Sequence, residues 1–255
     1  MLSKNKIKFL RSLQSKKARE IENCYIAEGD RIVNELLSSN CKIIEIIALA
    51  EWIEENNLII KGIPYEYASK EELNSISSLT SPQKVLCVVQ IHDIKLQVES
   101  ISQKLVLALD KIQDPGNMGT IIRLANWFGI EDILCSNDCV DIYNPKVIQA
   151  TMGAITKVNI YYCDLGKILK EYTSLTNKPI YGTFLEGENI YTSELTQSGI
   201  IVLGNEGNGI SSEIEQLINT KITIPNFSNT GVVESLNVSI AASIVCSEFK
   251  RRYYL

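Results

Sequence analysis

From residue 105 onward, short apolar runs and amphipathic stretches take turns along the chain, and this alternation constrains the fold more than any other feature. The apolar runs lie at 105–109, 133–134, 158–161, 179–183, 200–203 and 221–224, with helical stretches near 117–128, 144–151, 164–173, 211–218 and 237–252. Runs with no inside–outside alternation belong to strands buried on both faces, so the pattern predicts an α/β fold with a mostly parallel sheet covered by helices. The first hundred residues read as a smaller α/β unit. It comprises a helix over 4–20, a strand at 25–27, and a helix over 28–38 with Ile32, Val33, Leu36 and Leu37 on one face. A strand at 43–49, a helix holding Trp52, a strand near 64–67, a short helix from about 69 and a strand at 84–90 complete it. The polar segment 93–104 reads as the connection, giving two expected domains, 1–98 and 104–255. A chain of 255 residues can bury a core in each.

Charge narrows the class of partner. The chain carries 25 Lys+Arg against 30 Asp+Glu, which excludes a broadly cationic surface. The average hides a local cluster, because Lys4, Lys6, Lys8, Arg11, Lys16, Lys17 and Arg19 face Glu20 alone within the first 20 residues. A solvated amphipathic helix and a nucleic-acid contact both fit that cluster. No apolar run approaches the ~20 residues of a membrane span, and the start has no signal-peptide pattern, so a cytoplasmic protein is expected. Seven cysteines without a CxxC pair fit free thiols in a reducing compartment. His92 is the sole histidine, which excludes a two-His metal site within one chain; no metal is expected.

Three motifs sit at strand ends. The first runs Asp110-Lys111-Ile112-Gln113-Asp114-Pro115-Gly116-Asn117-Met118-Gly119-Thr120-Ile121-Ile122-Arg123. Pro115 and Gly116 turn the chain, Asn117 reads as the N-cap, and Gly129 stops the helix. Met118, Ile121, Ile122 and Ala125 share an apolar face. Arg123 lies near that face, where its stem covers apolar surface or its guanidinium is held over a cleft at the sheet's C-terminal edge. The second motif is Gly204-Asn205-Glu206-Gly207-Asn208-Gly209 after a buried strand. Its GxxGxG spacing is neither the dinucleotide fingerprint nor a Walker loop. It reads as a close backbone approach to a ligand or as a tight turn capped by Ser211. The third joins Ile222-Thr223-Ile224-Pro225 through a polar loop to Glu234-Ser235-Leu236-Asn237-Val238-Ser239-Ile240-Ala241-Ala242. Its small residues begin a closely packed last helix, docked by apolar positions 240, 244 and 245.

In this order and spacing the three motifs resemble the SpoU (TrmH-like) RNA ribose 2′-O-methyltransferases of the SPOUT superfamily. The stretch from Ser12 to Glu20, followed by Tyr25-Ile26-Ala27-Glu28-Gly29-Asp30-Arg31-Ile32-Val33, is similar to the family's ribosomal-protein-like RNA-binding domain. The resemblance implies a trefoil-knotted methyltransferase domain over 104–255 behind an RNA-binding domain over 1–98. It also implies S-adenosylmethionine as cofactor, RNA as substrate (ribosomal ahead of transfer RNA) and a homodimer whose active site draws on both subunits. By motif match, Thr183, Leu203, Gly204, Gly209, Ile224 and Leu236 fall at cofactor-binding positions. Asn117, Arg123, Glu206, Ser235 and Asn237 fall at positions the family uses for catalysis or for shaping the site. The loop 226–234 is longer than the family pattern. A transfer-RNA methyltransferase and a catalytically silent RNA-binding protein of the same fold are the alternatives. A dinucleotide-dependent oxidoreductase comes last, because the turn after the first strand of this half lacks the glycine fingerprint. Deleting residues 1–20 should, on this reading, cost RNA binding and spare cofactor binding.

Overall fold

The computed structural model describes residues 1–79, 81–228 and 235–254. Its elements run α1 Lys4–Ser12, α2 Lys16–Glu22, β1 Cys24–Glu28, α3 Asp30–Leu37, β2 Ile43–Ala48, α4 Ala50–Asn56, β3 Tyr65–Tyr67, α5 Lys70–Ile76 and β4 Val85–Gln90. They continue α6 Val98–Ile101, β5 Leu105–Leu109, α7 Pro115–Trp127, β6 Asp132–Ser136, α8 Pro145–Thr151, β7 Asn159–Cys163 and α9 Leu165–Leu175. The last are β8 Ile180–Asn189, β9 Gly199–Leu203, α10 Ser212–Glu215, β10 Thr220–Thr223 and α11 Val238–Tyr254. Two units result: Met1–Asp93 with Asp141–Thr156, and Ile94–Val140 with Lys157–Leu255.

In the first unit four strands pair in the order β1-β4-β2-β3. Alternate residues serve opposite faces, as a period-two strand requires. Tyr25, Ala27, Ile46, Ala48, Val85, Cys87 and Val89 meet Ile32, Val33, Leu36 and Trp52 of α3 and α4, with Ile148 of α8. On the other face Cys24, Ile26, Ile47, Leu86 and Val88 meet Leu10, Leu13, Leu73 and Ile76.

The helix expected over 4–20 is two helices. Ser15 caps the second by accepting from the Ala18 amide at 3.3 Å. Arg19 explains the break: its guanidinium, 3% exposed, donates to the carbonyls of Leu13 (2.8 Å) and Gln14 (2.9 Å) and pairs with Asp141. A charged fork that captures two carbonyls holds the inter-helix turn open, and the apolar period running through it hides the interruption. Glu28 and Asp30 of the Ala-Glu-Gly-Asp-Arg stretch have structural partners as well. The Glu28 carboxylate, buried, receives the Ser77 hydroxyl and the Ser78 amide (3.0 Å), while Asp30 takes the Trp52 indole N–H.

The second unit holds six strands in the order β10-β8-β9-β5-β6-β7, every neighbouring pair parallel. The strand–helix alternation anticipates this sheet. The connection before it is not wholly polar, because α6 buries Val98 and Ile101 in the core beneath the sheet. At the strands' N-terminal edge Asp132, 1% exposed, receives Lys104 Nζ (2.8 Å), Asn159 Nδ2 (3.0 Å) and the Tyr161 hydroxyl (3.2 Å). Burial, followed by this carboxylate, pushes the Tyr161 phenol up to about 12. That edge is closed by its own hydrogen bonds, which leaves the opposite edge for ligands.

Helix α11 docks through Ala242, Val245, Cys246 and Phe249, the last edge-on to Tyr181 at 4.9 Å. Ile240, expected to help dock it, is 52% exposed. The reason is angular: residue 240 falls on a different side of the helix from 242, 245, 246 and 249.

Candidate functional site

Because β10, β8, β9 and β5 are parallel, their C-terminal ends bring all three motifs to one edge of the sheet. Asp110, buried at the end of β5, accepts the Ser211 amide at 2.7 Å and so ties the first motif to the second. Ser211 takes the expected N-cap position of α10 and contributes its backbone there, while its side chain forms no cap hydrogen bond. Lys111 follows with φ of +58°. Its carbonyl accepts from Asn205 Nδ2 at 2.9 Å, and its amide donates to the Ser136 hydroxyl at 2.9 Å.

The cap of α7 is Asp114, not Asn117. Its carboxylate accepts the Asn117 amide at 2.8 Å with Pro115 in the first turn. Proline is preorganised for that turn and lacks the amide that would go unpaired there, so the residue before it takes the cap. The correction matters to the site, since it releases the Asn117 side chain. Asn117 Nδ2 donates to Glu206 of the second motif, and its Oδ1 accepts Asn237 Nδ2 of the third at 3.0 Å. Asn237 Oδ1 caps α11 through the Ser239 amide (2.9 Å) and hydroxyl (2.7 Å). One carboxylate–amide–amide chain, Glu206–Asn117–Asn237, therefore clasps all three motifs.

The glycine-rich loop is folded on itself. Asn205 and Gly209 exchange both backbone hydrogen bonds (3.0 and 2.8 Å), and Asn205 Oδ1 accepts the amides of Gly207 (2.9 Å) and Asn208 (3.1 Å). This is an Asx-type turn, in which a short side-chain acceptor replaces backbone partners. Asn205 was not singled out from sequence, although an asparagine two residues before a glycine carries that signal. A cleft of about 1160 Å³ opens beside the loop. Of the expected residues, Thr183, Gly204, Glu206, Gly209, Ile224, Ser235 and Leu236 line it. Leu203 does not; it is wholly buried within the sheet. Asn117 and Asn237 reach the cleft through Glu206 rather than by lining it. Arg123 lies on α7, exposed and with no ion pair or hydrogen bond among the described residues. Met118, Ile121, Ile122 and Ala125 are fully buried beneath the helix.

Several cleft residues escaped sequence reasoning. Phe184 carries Lys221 Nζ 4.7 Å above its ring, and Lys221 also pairs with Glu215. Phe227 is 84% exposed beside Pro225. Part of the long loop, residues 229–234 with Glu234, lies outside the described residues.

All seven cysteines are free, and five are buried. Cys139, behind the first motif, has its thiol drawn down to about 7, first by Cys135. His92 is exposed in a segment without regular structure.

The first twenty residues offer less cationic surface than their composition suggests. Lys6 pairs with Glu45 and Glu66, Lys16 lies 3.9 Å from Glu20, Arg11 Nε donates to the Ser75 carbonyl, and Arg19 is buried. Lys4, Lys8 and Lys17 remain exposed without an ion pair among the described residues. Deleting residues 1–20 would also remove Leu10 and Leu13, at most 1% exposed in the core, so the expected selective loss of RNA binding does not apply. That deletion would unfold the unit.

A parallel sheet with three loops clasped around a cleft at its C-terminal edge defines a ligand-binding α/β protein. Residues 104–247 match the SpoU rRNA Methylase family, and residues 4–87 match the MRM3-like substrate binding domain. The chain belongs to the SpoU rRNA methylase family. It is 28% identical over 242 residues to the 23S rRNA (guanosine(2553)-2′-O)-methyltransferase RlmP of Bacillus subtilis, covering 94% of each chain. Its fold is shared with a TrmH-family protein from Porphyromonas gingivalis, at TM-score 0.85 and 35% identity over 99% of both chains. It is shared too with an AdoMet-bound rRNA methyltransferase from Sinorhizobium meliloti, at TM-score 0.86 and 24% identity over 100% of this chain and 98% of that one.

Proposed function

We propose that this protein transfers a methyl group from S-adenosylmethionine to a ribose 2′-hydroxyl of structured RNA, with ribosomal RNA as the substrate. The observation that carries the reading is the Glu206–Asn117–Asn237 chain, which joins the family's three motifs beside one cleft. Family membership and the ribosomal-RNA specificity of RlmP support it.

The cleft fits the cofactor on its own chemistry. A volume of about 1160 Å³ exceeds what a nucleoside-sized ligand needs. The apolar side chains of Ile210, Ile224 and Leu236 suit a heterocycle, and the carboxylates of Glu186 and Glu206 suit a cation. Thr183, Gly204, Gly209, Ile224 and Leu236, which line the cleft, would hold S-adenosylmethionine, largely through backbone groups. When bound, the cofactor supplies a methyl group already activated on sulfonium sulfur. The protein's task is therefore alignment, worth on the order of 7–11 kcal/mol in well-oriented systems. Asn117, Glu206 and Asn237 satisfy one another and hold the loops in place, while Ser235 shapes the cleft wall. Arg123 meets the RNA: its fixed, permanently charged fork suits a backbone phosphate and the charge that develops on the 2′-oxygen. A guanidinium that stays charged is a poor base, so the hydroxyl proton leaves to solvent or to the substrate phosphate.

The remaining assignments belong to the same proposal. Residues 1–98 serve as the substrate domain and 104–255 as the methyltransferase domain, in a cytoplasmic homodimer whose partner completes the site. Among the described residues no helix is long and apolar enough to cross a membrane. Sedimentation should give a dimer; an active monomer at working concentration contradicts the shared site. Incubation with tritiated-methyl cofactor and ribosomal RNA from cells lacking the gene should label one ribose, located by 2′-O-methyl mapping. Label on transfer RNA alone, or none on any RNA, overturns the reading.

The exposed lysines give a further expected result. Replacing Lys4, Lys8 and Lys17 together with alanine should weaken RNA binding and flatten the log K against log salt slope by roughly two to three units. Cofactor affinity should not change. An unaltered slope would place the RNA elsewhere on the protein.

A further inference from the structure

The end of α11 carries a charged cluster that the proposed chemistry does not use. Glu248 is 5% exposed, and its carboxylate receives Arg251 Nε (2.8 Å) and Nη2 (2.9 Å) together with Arg252 Nε (2.9 Å). These two guanidiniums, Arg251 foremost, hold the carboxyl down to about 2. Arg252 then extends beyond its own helix. Its Nη1 donates to the Ser193 carbonyl and its Nη2 to the Ile190 carbonyl at 2.9 Å. One turn-mate further, the Tyr253 hydroxyl donates to the Leu195 carbonyl. Three carbonyls of the segment after β8 are thus held from the helix.

That segment is one step from the cleft. The Ile190 amide donates to the Thr223 carbonyl at 3.0 Å, and the Thr223 hydroxyl donates to the Leu185 carbonyl at 3.0 Å. Leu185, Ile190 and Thr223 all line the cleft, and Ile190 is fully buried. A planar fork with five donors can engage two carbonyls and a carboxylate at once, which a lysine ammonium on a flexible stem cannot reproduce. We infer that Arg252, oriented by Glu248, is a positioning residue that sets the Leu185–Ile190–Thr223 wall of the cofactor cleft. The inference rests on the reading of the cleft as the cofactor site. The hydrogen bonds themselves do not depend on it.

The full-length chain tests it with Arg252→Ala, Arg252→Lys and Glu248→Gln. For Arg252→Ala the calorimetric Kd and the KM for S-adenosylmethionine should rise about tenfold, with kcat at saturating cofactor within twofold of the parent. Lysine should restore only part of the affinity, and Glu248→Gln should fall between. In the absence of ligand, amide exchange at Ile190 should quicken at least tenfold in Arg252→Ala, while exchange in the β5 strand stays unchanged. A chain purely destabilised at its last helix would instead exchange faster throughout and lose kcat and affinity together. If Arg252→Ala fails to fold, Tyr253→Phe, which removes only the bond to Leu195, is expected to quicken exchange near Leu195 with a smaller loss of affinity. Unchanged Kd in Arg252→Ala beside a parent that binds overturns the clamp. A parent that does not bind the cofactor overturns the cofactor reading, and unchanged Ile190 exchange then overturns the clamp separately.

Discussion

Arg123→Ala is expected to keep the melting temperature and cofactor affinity of the parent while methyl transfer falls on the order of a thousandfold. The first half follows from exposure. Arg123 stands free on α7 above four fully buried apolar residues, so trimming it opens no cavity and strands no partner. Surface substitutions of that kind usually change stability by less than about 0.5 kcal/mol. The second half follows from what a guanidinium does for developing negative charge, where losing one preorganised donor costs about a hundred- to a thousandfold. Loss of the proposed phosphate contact adds to that. Single-turnover transfer of a tritiated methyl group, with cofactor titration on the same preparation, separates the two halves. Near-normal turnover would remove Arg123 from the reaction, and loss of cofactor binding would move it into the cofactor site.

Gly204→Ala should have the opposite signature, with cofactor binding lost first. A Cβ at this position would stand 2.3 Å from both the Gly209 carbonyl carbon and the Ile210 nitrogen, and 2.6 Å from the Gly209 oxygen. All three are backbone atoms, so no rotamer change relieves the clash. The paired Asn205–Gly209 hydrogen bonds must open, taking with them the loop that carries Glu206. We expect a loss of at least about 2 kcal/mol of stability and at least a hundredfold loss of cofactor affinity, equivalent to about 2.7 kcal/mol. Gly209→Ala makes the control. Its φ is +67° and nothing lies within 4 Å of the added carbon, so the cost is the left-handed backbone alone, about 1–2 kcal/mol. Equal effects at the two positions, read by thermal melting and calorimetry, would show that crowding at Gly204 is not what shapes the loop.

The second unit's sheet was legible because runs such as Leu105–Leu109, buried on both faces, are too short for a helix and alternate with longer amphipathic stretches. The site was legible as three motifs but not as one clasp. Glycine, asparagine and glutamate at a strand end mark a loop, whereas the bonds from Asn117 to Glu206 and Asn237 join residues 89 and 120 positions apart, and no local pattern encodes such pairings. Local chemistry was misread where two residues competed for one role. Asp114 and Asn117 are both good caps, and the proline between them decides the matter. Arg19 was counted with its exposed neighbours because composition does not register that a guanidinium 3% exposed is committed to carbonyls. Likewise, the apolar face of α8, with Val147 and Ile148, does not announce that a helix lying between two strands of one sheet belongs with the other unit.

The span of the clasp has a consequence in time. At roughly 5–20 residues per second on the ribosome, about 6–24 s separate synthesis of Asn117 from that of Asn237. During that interval the parallel core can begin to assemble, yet Asn117 lacks its last partner and α11 its cap. A growing chain therefore passes through a stage in which most of the sheet exists without a competent cleft. Ribosome stalling before Asn237 is made would leave a chain with most of its sheet and an open clasp.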